Sequence, residues 1–326
     1  MLSFWHVHAW DYARQIKSIE GTQITVVWDE QEERGRKCAE QLGVPYESNL
    51  DALLARDDVD AVIVDAPSNM HGVVIVKAAK AGKDIFTEKV LALTVKECDD
   101  IIAAVNESGV KFMISLPFMC NPQLLFAKEI VDKGLLGKVT LMRTRNAHNG
   151  EVAGWLPEHF YDAVQCGGGA MIDLGCHPMY LSFWMLGRPT NVTARLGNFL
   201  GQHEVDDNSV VIVDFESRAM AIVETGFVTG HSPFTLELYG TEGTLLIGGT
   251  NHGVQLRSEK MGGEVNGWVQ AANMPKAPLS PMQQWVELIK NGTEPAITID
   301  YGRQLTELMQ AATISNKEGR SVSLPL

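Results

Sequence analysis

The chain has 326 residues, of which 45% are hydrophobic and 21% charged, and a formal net charge of -13. That length suits two domains with sizeable cores, and the acidity repels phosphate backbones, which argues against nucleic acid as a partner. No apolar run reaches the ~20 residues of a membrane span. No basic run precedes an apolar stretch at the N-terminus, so no signal peptide is expected. Cys38, Cys98, Cys120, Cys166 and Cys176 are scattered and form no Cys-x-x-Cys pair. Such thiols suit a reducing cytoplasm better than a disulfide frame or a zinc site.

The opening, MLSFWHVHAWDYARQIKSIEG, has no glycine before Gly21. TQITVVW (22–28) then predicts a strand ending at Asp29, and QEERGRKCAEQL predicts a helix closed by Gly43. DAVIV (60–64) is the short, continuously apolar run of a strand buried on both faces. HGVVIVKAAKA predicts a helix ending near Gly82, DIFT the next strand, and Thr94 with Glu97 a capping box ahead of VKECDDIIAAVNES. VKFMIS closes the series. Strands and helices alternating at this spacing imply an α/β, doubly wound parallel sheet, expected to occupy residues 1–118.

The texture then changes, and residues 119–326 are expected to form an α+β domain. A loop rich in Gly, Trp and Pro leads into the helix-like AMIDLGCHPMYLSFWML. TNVTARL, SVVIVDF, AMAIVETGFV, FTLELYG and GTLLIGG follow without intervening helices, which predicts a large, mostly antiparallel sheet. Helical segments near 281–291 and 301–316 end the chain.

Several residues stand where chemistry can occur. Asp29, at the end of the second strand and ~20 residues after the opening turn, reads either as the acceptor of an adenosine ribose hydroxyl or as a helix N-cap. No Arg or Lys directly follows it, which favours NAD over NADP. Glu88 and Lys89 follow a sheet strand at its ligand-binding edge, where a lysine can stabilise charge on a substrate oxygen; the alternative is a surface lysine paired with Glu88. Asp173 and His177 are four apart, on one face of a helix, as a base and its orienting acid; the alternative is a core histidine. Gly167 to Gly169 would let backbone approach a flat ligand. His6 and His8 lack a third convergent ligand, so no metal is expected. His71 reads as structural or cofactor-adjacent, and His148 and His159, flanking Trp155, as substrate contacts on a loop between the domains.

VVWDEQEERGRKCAEQLGV, APSNMH, AGKDIFTEKV and GGGAMIDLGCH, taken in order, resemble the Gfo/Idh/MocA oxidoreductases, as do DDNSVVIVDF and LELYGTEGTLLI. The resemblance implies a Rossmann-type domain, an NAD cofactor and a catalytic group of Lys89, Asp173 and His177. It also implies Asp29 on the ribose, and a homodimer or homotetramer built through the large sheet. Phe4, Trp5, His6, Val7, Ala66, Pro67, Asn69, His71, Glu88 and Lys89 are the expected remaining cofactor contacts. The implied substrate is a sugar or cyclitol. An NAD-dependent glycosidase-like enzyme using transient oxidation, or a non-catalytic NAD-binding regulator, are the alternatives.

Three departures carry expectations of their own. Ser3, Trp5 and His8 replace the opening glycines, and since positive φ costs a non-glycine residue about 1–3 kcal/mol, a rebuilt turn is expected. In it, the amides of Trp5, His6 and Val7 would meet the pyrophosphate at the helix start. So few residues precede Ser3 that strand one should be very short, with Met1 an internal or misassigned start. The family's Glu-Lys-Pro reads Glu88-Lys89-Val90, so a trans peptide is expected after Lys89. Its aromatic-Arg pair reads Phe118-Met119, without the arginine.

Overall fold

The computed structural model describes residues 1–262 and 267–326. The chain divides into two compact units, Met1–Pro117 with Leu279–Thr306, and Phe118–Pro278 with Glu307–Leu326. This differs from the expected division at 118, because the chain returns to the first unit near its end.

In the first unit, β1 (Ala61–Val64), β2 (Asp84–Thr87) and β3 (Phe112–Ile114) pair in parallel in that order. Leu2 extends the sheet beyond β1, bridging to both Val64 and Trp28, and Val27 bridges in turn to Tyr46. The order outward from β3 is therefore that of a doubly wound nucleotide-binding sheet. The strand expected over 22–28 pairs only at Val27 and Trp28. Its neighbour is the three-residue segment 1–3, which exchanges bonds with Trp28 and Ile63 and offers no ladder to residues 22–25. The Met1 ammonium is buried and donates to the Val26 carbonyl at 3.0 Å.

Helices cover the sheet as their sequences require. Glu32–Leu42 ends on Gly43 in the left-handed region, and Val95–Ser108 starts with the complete Thr94/Glu97 capping box. Helix Pro281–Asn291 has its own capping box, Ser280 with Gln283, and buries Trp285, which packs on Phe86 with ring centroids 5.6 Å apart. Both side chains are almost wholly out of water, so each contributes on the order of 2–3 kcal/mol of apolar burial.

The second unit is built on a nine-stranded sheet. Its strands are β4 (Val139–Ala147), β5 (Pro189–Gly197), β6 (Asn208–Phe215), β7 (Met220–Gly226), β8 (Thr235–Gly240), β9 (Gly243–Gly248), β10 (Gly253–Ser258), β11 (Val269–Gln270) and β12 (Val322–Ser323), in the spatial order β11-β10-β9-β8-β4-β7-β6-β5-β12. Only β4 and β7 run parallel; every other pair is antiparallel. One face packs on the helix Cys176–Leu186, whose residues are nearly all buried. β4 and β10 carry no recognised sequence signal; the polar side chains of Arg143, Arg145 and Asn146 mask the alternation of β4.

Candidate active site

In the first unit the expected cofactor residues gather at the carboxyl ends of the parallel strands, where open α/β sheets bind their ligands. The opening turn is rebuilt only in part. Ser3 keeps the left-handed backbone of the missing glycine, φ 74°, while Trp5 and His8 do not. The Ser3 hydroxyl explains how the turn closes: it accepts the Trp5 N–H at 3.1 Å.

The amides expected to meet a pyrophosphate are largely spent within the protein. Phe4 N–H donates to Asp29 Oδ2 at 2.8 Å, Trp5 N–H to Ser3, and His6 N–H to the Asp65 carbonyl at 3.2 Å. Val7 stands 47% exposed just before the helix Ala9–Ser18, and its amide is the one of the expected group with no such internal acceptor among the described residues.

Asp29 is engaged more fully than its sequence position suggests. Oδ1 accepts from Gln31 N–H at 2.8 Å and Arg34 Nη2 at 2.7 Å; Oδ2 accepts from Phe4 N–H and from Arg34 Nε at 2.9 Å. A carboxylate has about four lone-pair sites, and here all four are filled. The expectation that no basic residue stands beside Asp29 is corrected: Arg34, one helical turn on, folds back over it and also pairs with Glu30.

After β1, Ala66 and Pro67 lead into a short turn, Ser68–Met70, and the helix His71–Lys80. The buried His71 ring lies between two carbonyls, Nδ1 2.8 Å from Val90 O and Nε2 3.0 Å from Ala66 O, and so ties the post-β1 loop to the segment after β2. Burial pushes its pKa below 6.5 despite those hydrogen bonds. Asn69 Oδ1 is buried and finds no hydrogen-bond partner among the described residues, and the same is true of both Asp65 carboxylate oxygens.

Glu88 and Lys89 are buried, at 2% and 5% exposure, so Lys89 is not a surface lysine. The Lys89–Val90 peptide is cis, which corrects the trans expectation. That expectation weighed only the bond itself; in the fold Val90 is buried and its carbonyl is held by His71. The Glu88 carboxylate accepts from the Tyr12 hydroxyl, which also stands 2.7 Å from Ser115 Oγ, and lies 3.1 Å from His8 Nδ1. His6 Nδ1 is 4.0 Å from the same oxygen. Burial pushes the Glu88 carboxyl upward, but His6 and His8 outweigh it and hold the group well below the usual carboxylate range. For the Tyr12 phenol, burial and then the Glu88 charge act in the same direction, well upward.

In the second unit, Asp173 lies on a π-helical turn, Met171–Gly175, that runs directly into the helix carrying His177. The expected single α-helix is thus interrupted between the two residues. Two of the glycines before it have structural roles. Gly167 caps a short helix at φ 79°, and a Cβ on Gly169 would stand 2.0 Å from the Asp206 carbonyl oxygen, so the close approach is to the protein's own backbone. Asp206, buried, accepts from Gly169 N–H at 2.9 Å, Met171 N–H at 2.8 Å and Ser209 Oγ at 2.7 Å.

His177 is 7% exposed, with Nδ1 2.9 Å from Tyr180 Oη and its ring stacked on Phe118 at a centroid distance of 4.5 Å. Tyr180 Oη in turn accepts the Phe118 N–H at 3.0 Å. His148 stacks on Phe227, meets Trp155, and accepts the Gly150 N–H on Nδ1. Burial lowers its pKa, and the Asp173 charge opposes that shift in part. His159 instead contacts Phe160, in a segment belonging wholly to the second unit. Arg34, Tyr12, Tyr180 and Asp206 were not singled out in the sequence; Tyr180, three residues after His177, Tyr12, four after His8, and Arg34, four after Glu30, carry a local spacing signal.

A parallel sheet with polar groups at its carboxyl edge, joined to a large open sheet bearing a tethered histidine, defines a dinucleotide-dependent oxidoreductase architecture. Residues 6–116 match the oxidoreductase family model with an NAD-binding Rossmann fold, and residues 124–246 the Gfo/Idh/MocA C-terminal domain. The chain is 30% identical over 325 residues to a scyllo-inositol 2-dehydrogenase (NAD(+)) of Bacillus subtilis (strain 168), covering 95% of this chain and 91% of that one. It is 31% identical to a 2,7-anhydro-N-acetylneuraminate hydratase of Mediterraneibacter gnavus over 73% of its own length, and spans only 63% of that relative's. GenD2 from gentamicin A biosynthesis, solved in complex with NAD, superposes with a TM-score of 0.81 at 26% identity, over 97% of this chain and 93% of that one. The chain belongs to the Gfo/Idh/MocA oxidoreductase family. Its first unit suits the NAD that the family model names: Val7, whose amide has no internal acceptor among the described residues, precedes a helix, and the orphaned Asn69 oxygen lies at the same sheet edge.

Proposed function

We propose that this chain is an NAD(H)-dependent dehydrogenase that moves hydride between a hydroxyl-bearing carbon of a sugar, cyclitol or sugar derivative and the nicotinamide ring. The observation that carries this reading is the tethered His177. A buried imidazole whose Nδ1 is held by a tyrosine hydroxyl presents Nε2 in a fixed direction. When His177 donates Nδ1–H to Tyr180, Nε2 holds the lone pair and can take the substrate hydroxyl proton. Tyr180 Oη then accepts two hydrogen bonds, from His177 and from Phe118 N–H. Asp173 steadies the imidazolium charge, and the Lys89 ammonium stabilises negative charge on the reacting oxygen. Bound NAD supplies the hydride acceptor. Asp29 takes the adenosine ribose hydroxyl when Arg34 swings away, and favours NAD(H) over NADP(H). His148 and Trp155 contact the substrate.

The enzyme assembles through the open face of its large sheet as a homodimer or homotetramer: Val210, Ile212 and Met220 are 44%, 39% and 46% exposed there, and β6 and β7 bring them to one face. A cytoplasmic location accords with five scattered cysteines that form no Cys-x-x-Cys pair; among the described residues no helix is long and apolar enough to cross a membrane. The hydratase relative supports a second reading, in which bound NAD is reduced and reoxidised within each turnover.

Fluorescence titration with NADH and NADPH, then a sugar and cyclitol screen, tests the proposal. Tight NADH binding with net NADH production is expected; turnover without NADH release selects the second reading, and binding of neither nucleotide refutes both. His177→Ala should lower turnover ~10²–10⁴-fold with NADH affinity unchanged.

A further inference from the structure

Two histidines spaced two apart are a poor metal site until a third donor converges on them. Glu88, 80 residues along the chain, is that donor. One ligand atom from each of His6, His8 and Glu88 lies within 4.8 Å of the others. We infer that these three side chains bind one divalent cation of the zinc class.

The spacing fits. Zinc holds nitrogen and oxygen donors at ~2.0–2.1 Å, which puts tetrahedral neighbours roughly 3.4 Å apart. Glu88 Oε2 already stands 3.1 Å from His8 Nδ1 and 4.0 Å from His6 Nδ1. His6 Nδ1 accepts the His8 backbone N–H at 3.2 Å, so it carries no proton, and a cation bound there would take its lone pair from that amide. The Glu88 carboxylate is fixed by the Tyr12 hydroxyl, itself next to Ser115, which is the outer support that ligating carboxylates use.

A second observation concerns charge. The Glu88 carboxylate is buried, and a bound dication would offset its charge. The donor set selects the ion: two imidazoles and a carboxylate suit Zn²⁺ or Co²⁺, whereas Mg²⁺ and Ca²⁺ prefer oxygen ligands throughout. With His6 and Glu88 buried and the His8 side chain 39% exposed, the ion would enter past His8 and keep an open fourth position there. The dehydrogenase reading requires no metal, so the two can be tested apart.

The test uses the chelator-stripped 326-residue chain without nucleotide, titrated calorimetrically with Zn²⁺ and, by visible absorption, with Co²⁺. Expected are one equivalent bound, tetrahedral Co²⁺ bands, and no competition from excess Mg²⁺. His8→Ala, at the exposed member, should weaken binding at least ~100-fold and Tyr12→Phe ~10–100-fold, both with unchanged circular dichroism. Absence of saturable Zn²⁺ and Co²⁺ binding, or an affinity unaltered in His8→Ala, overturns the inference. NADH titration of the same stripped protein reads the dehydrogenase proposal separately.

Discussion

Asp206 holds the turn that carries Asp173, and removing it should cost more than any hydrogen bond on the protein surface. In Asp206→Ala the amides of Gly169 and Met171 lose their acceptors in a buried setting, while Ser209 Oγ can rotate to a new one. A buried donor left unpaired costs about 1–3 kcal/mol, so the two amides together predict a loss of about 2–6 kcal/mol. The gain from no longer burying the carboxylate, whose pKa burial already pushes upward against its hydrogen bonds, brings the expectation to the lower half of that range. Asp206→Asn keeps one acceptor oxygen and should lose about half as much. Urea unfolding at neutral pH, followed by far-ultraviolet circular dichroism, gives the midpoint and slope. A midpoint shift in Asp206→Ala below what 1 kcal/mol produces, at unchanged slope, would show that water or a backbone shift replaces the carboxylate.

Gly169→Ala should be severely destabilising, since its Cβ would stand 2.0 Å from Asp206 O; Gly168→Ala, with its nearest neighbour at 3.5 Å, should be mild, and equal midpoints for the two would refute the packing argument. His71 is buried with a pKa below 6.5, so the unfolded state binds more protons as pH falls through 6.5, and stability, complete above that pH, is lost toward the lower folded value. That loss is up to about 1.4 kcal/mol per pH unit; His71→Gln should flatten the difference in urea midpoint between about pH 7.5 and about pH 5.5. Arg34→Ala vacates two of the four lone-pair sites on Asp29 and removes the adjacent cation. NADH affinity should rise relative to NADPH by on the order of 10-fold, the worth of one charged hydrogen bond; a shift toward NADPH would sink the ribose assignment.

Local signals in the chain pointed to those elements whose stabilising contacts are also local. The Thr94/Glu97 capping box, the apolar run that became β1 and the alternation of β6 each need only their neighbours to declare themselves. The site was legible as residue types but not as partnerships. Nothing near Asp29 announces that Arg34 will occupy both of its oxygens, because that contact depends on how the following helix leaves the sheet. Glu88 reaches His8 across 80 residues and Asp206 reaches Gly169 across 37, distances at which spacing carries no information. Gly169, read as room for a ligand, is room for the Asp206 carbonyl.

The π-turn joins these long-range contacts to the chemistry. A π-turn adds a residue to the helical circuit, so Asp173 faces a different direction from the one regular α spacing would give it, and such turns recur at functional sites. It leaves carbonyl and amide groups poorly served by the helix itself, and the sheet and the loop before β6 supply what is missing. Asp206 takes the amides at its entrance, Thr225 on β7 donates to the Ala170 carbonyl at 3.2 Å, and Asn146 on β4 donates to the Leu174 carbonyl at 3.0 Å. Gly175 admits the turn's tight exit: a Cβ there would stand 2.4 Å from Met171 Sδ. The aim of Asp173 is therefore set by polar side chains from β4, β7 and the loop before β6, while the aim of His177, one step into the regular helix, is set by Tyr180 and Phe118. Two residues four apart in sequence thus have independent supports, and changes at Asn146 or Thr225 should move the behaviour of Asp173 without disturbing the His177–Tyr180 hydrogen bond.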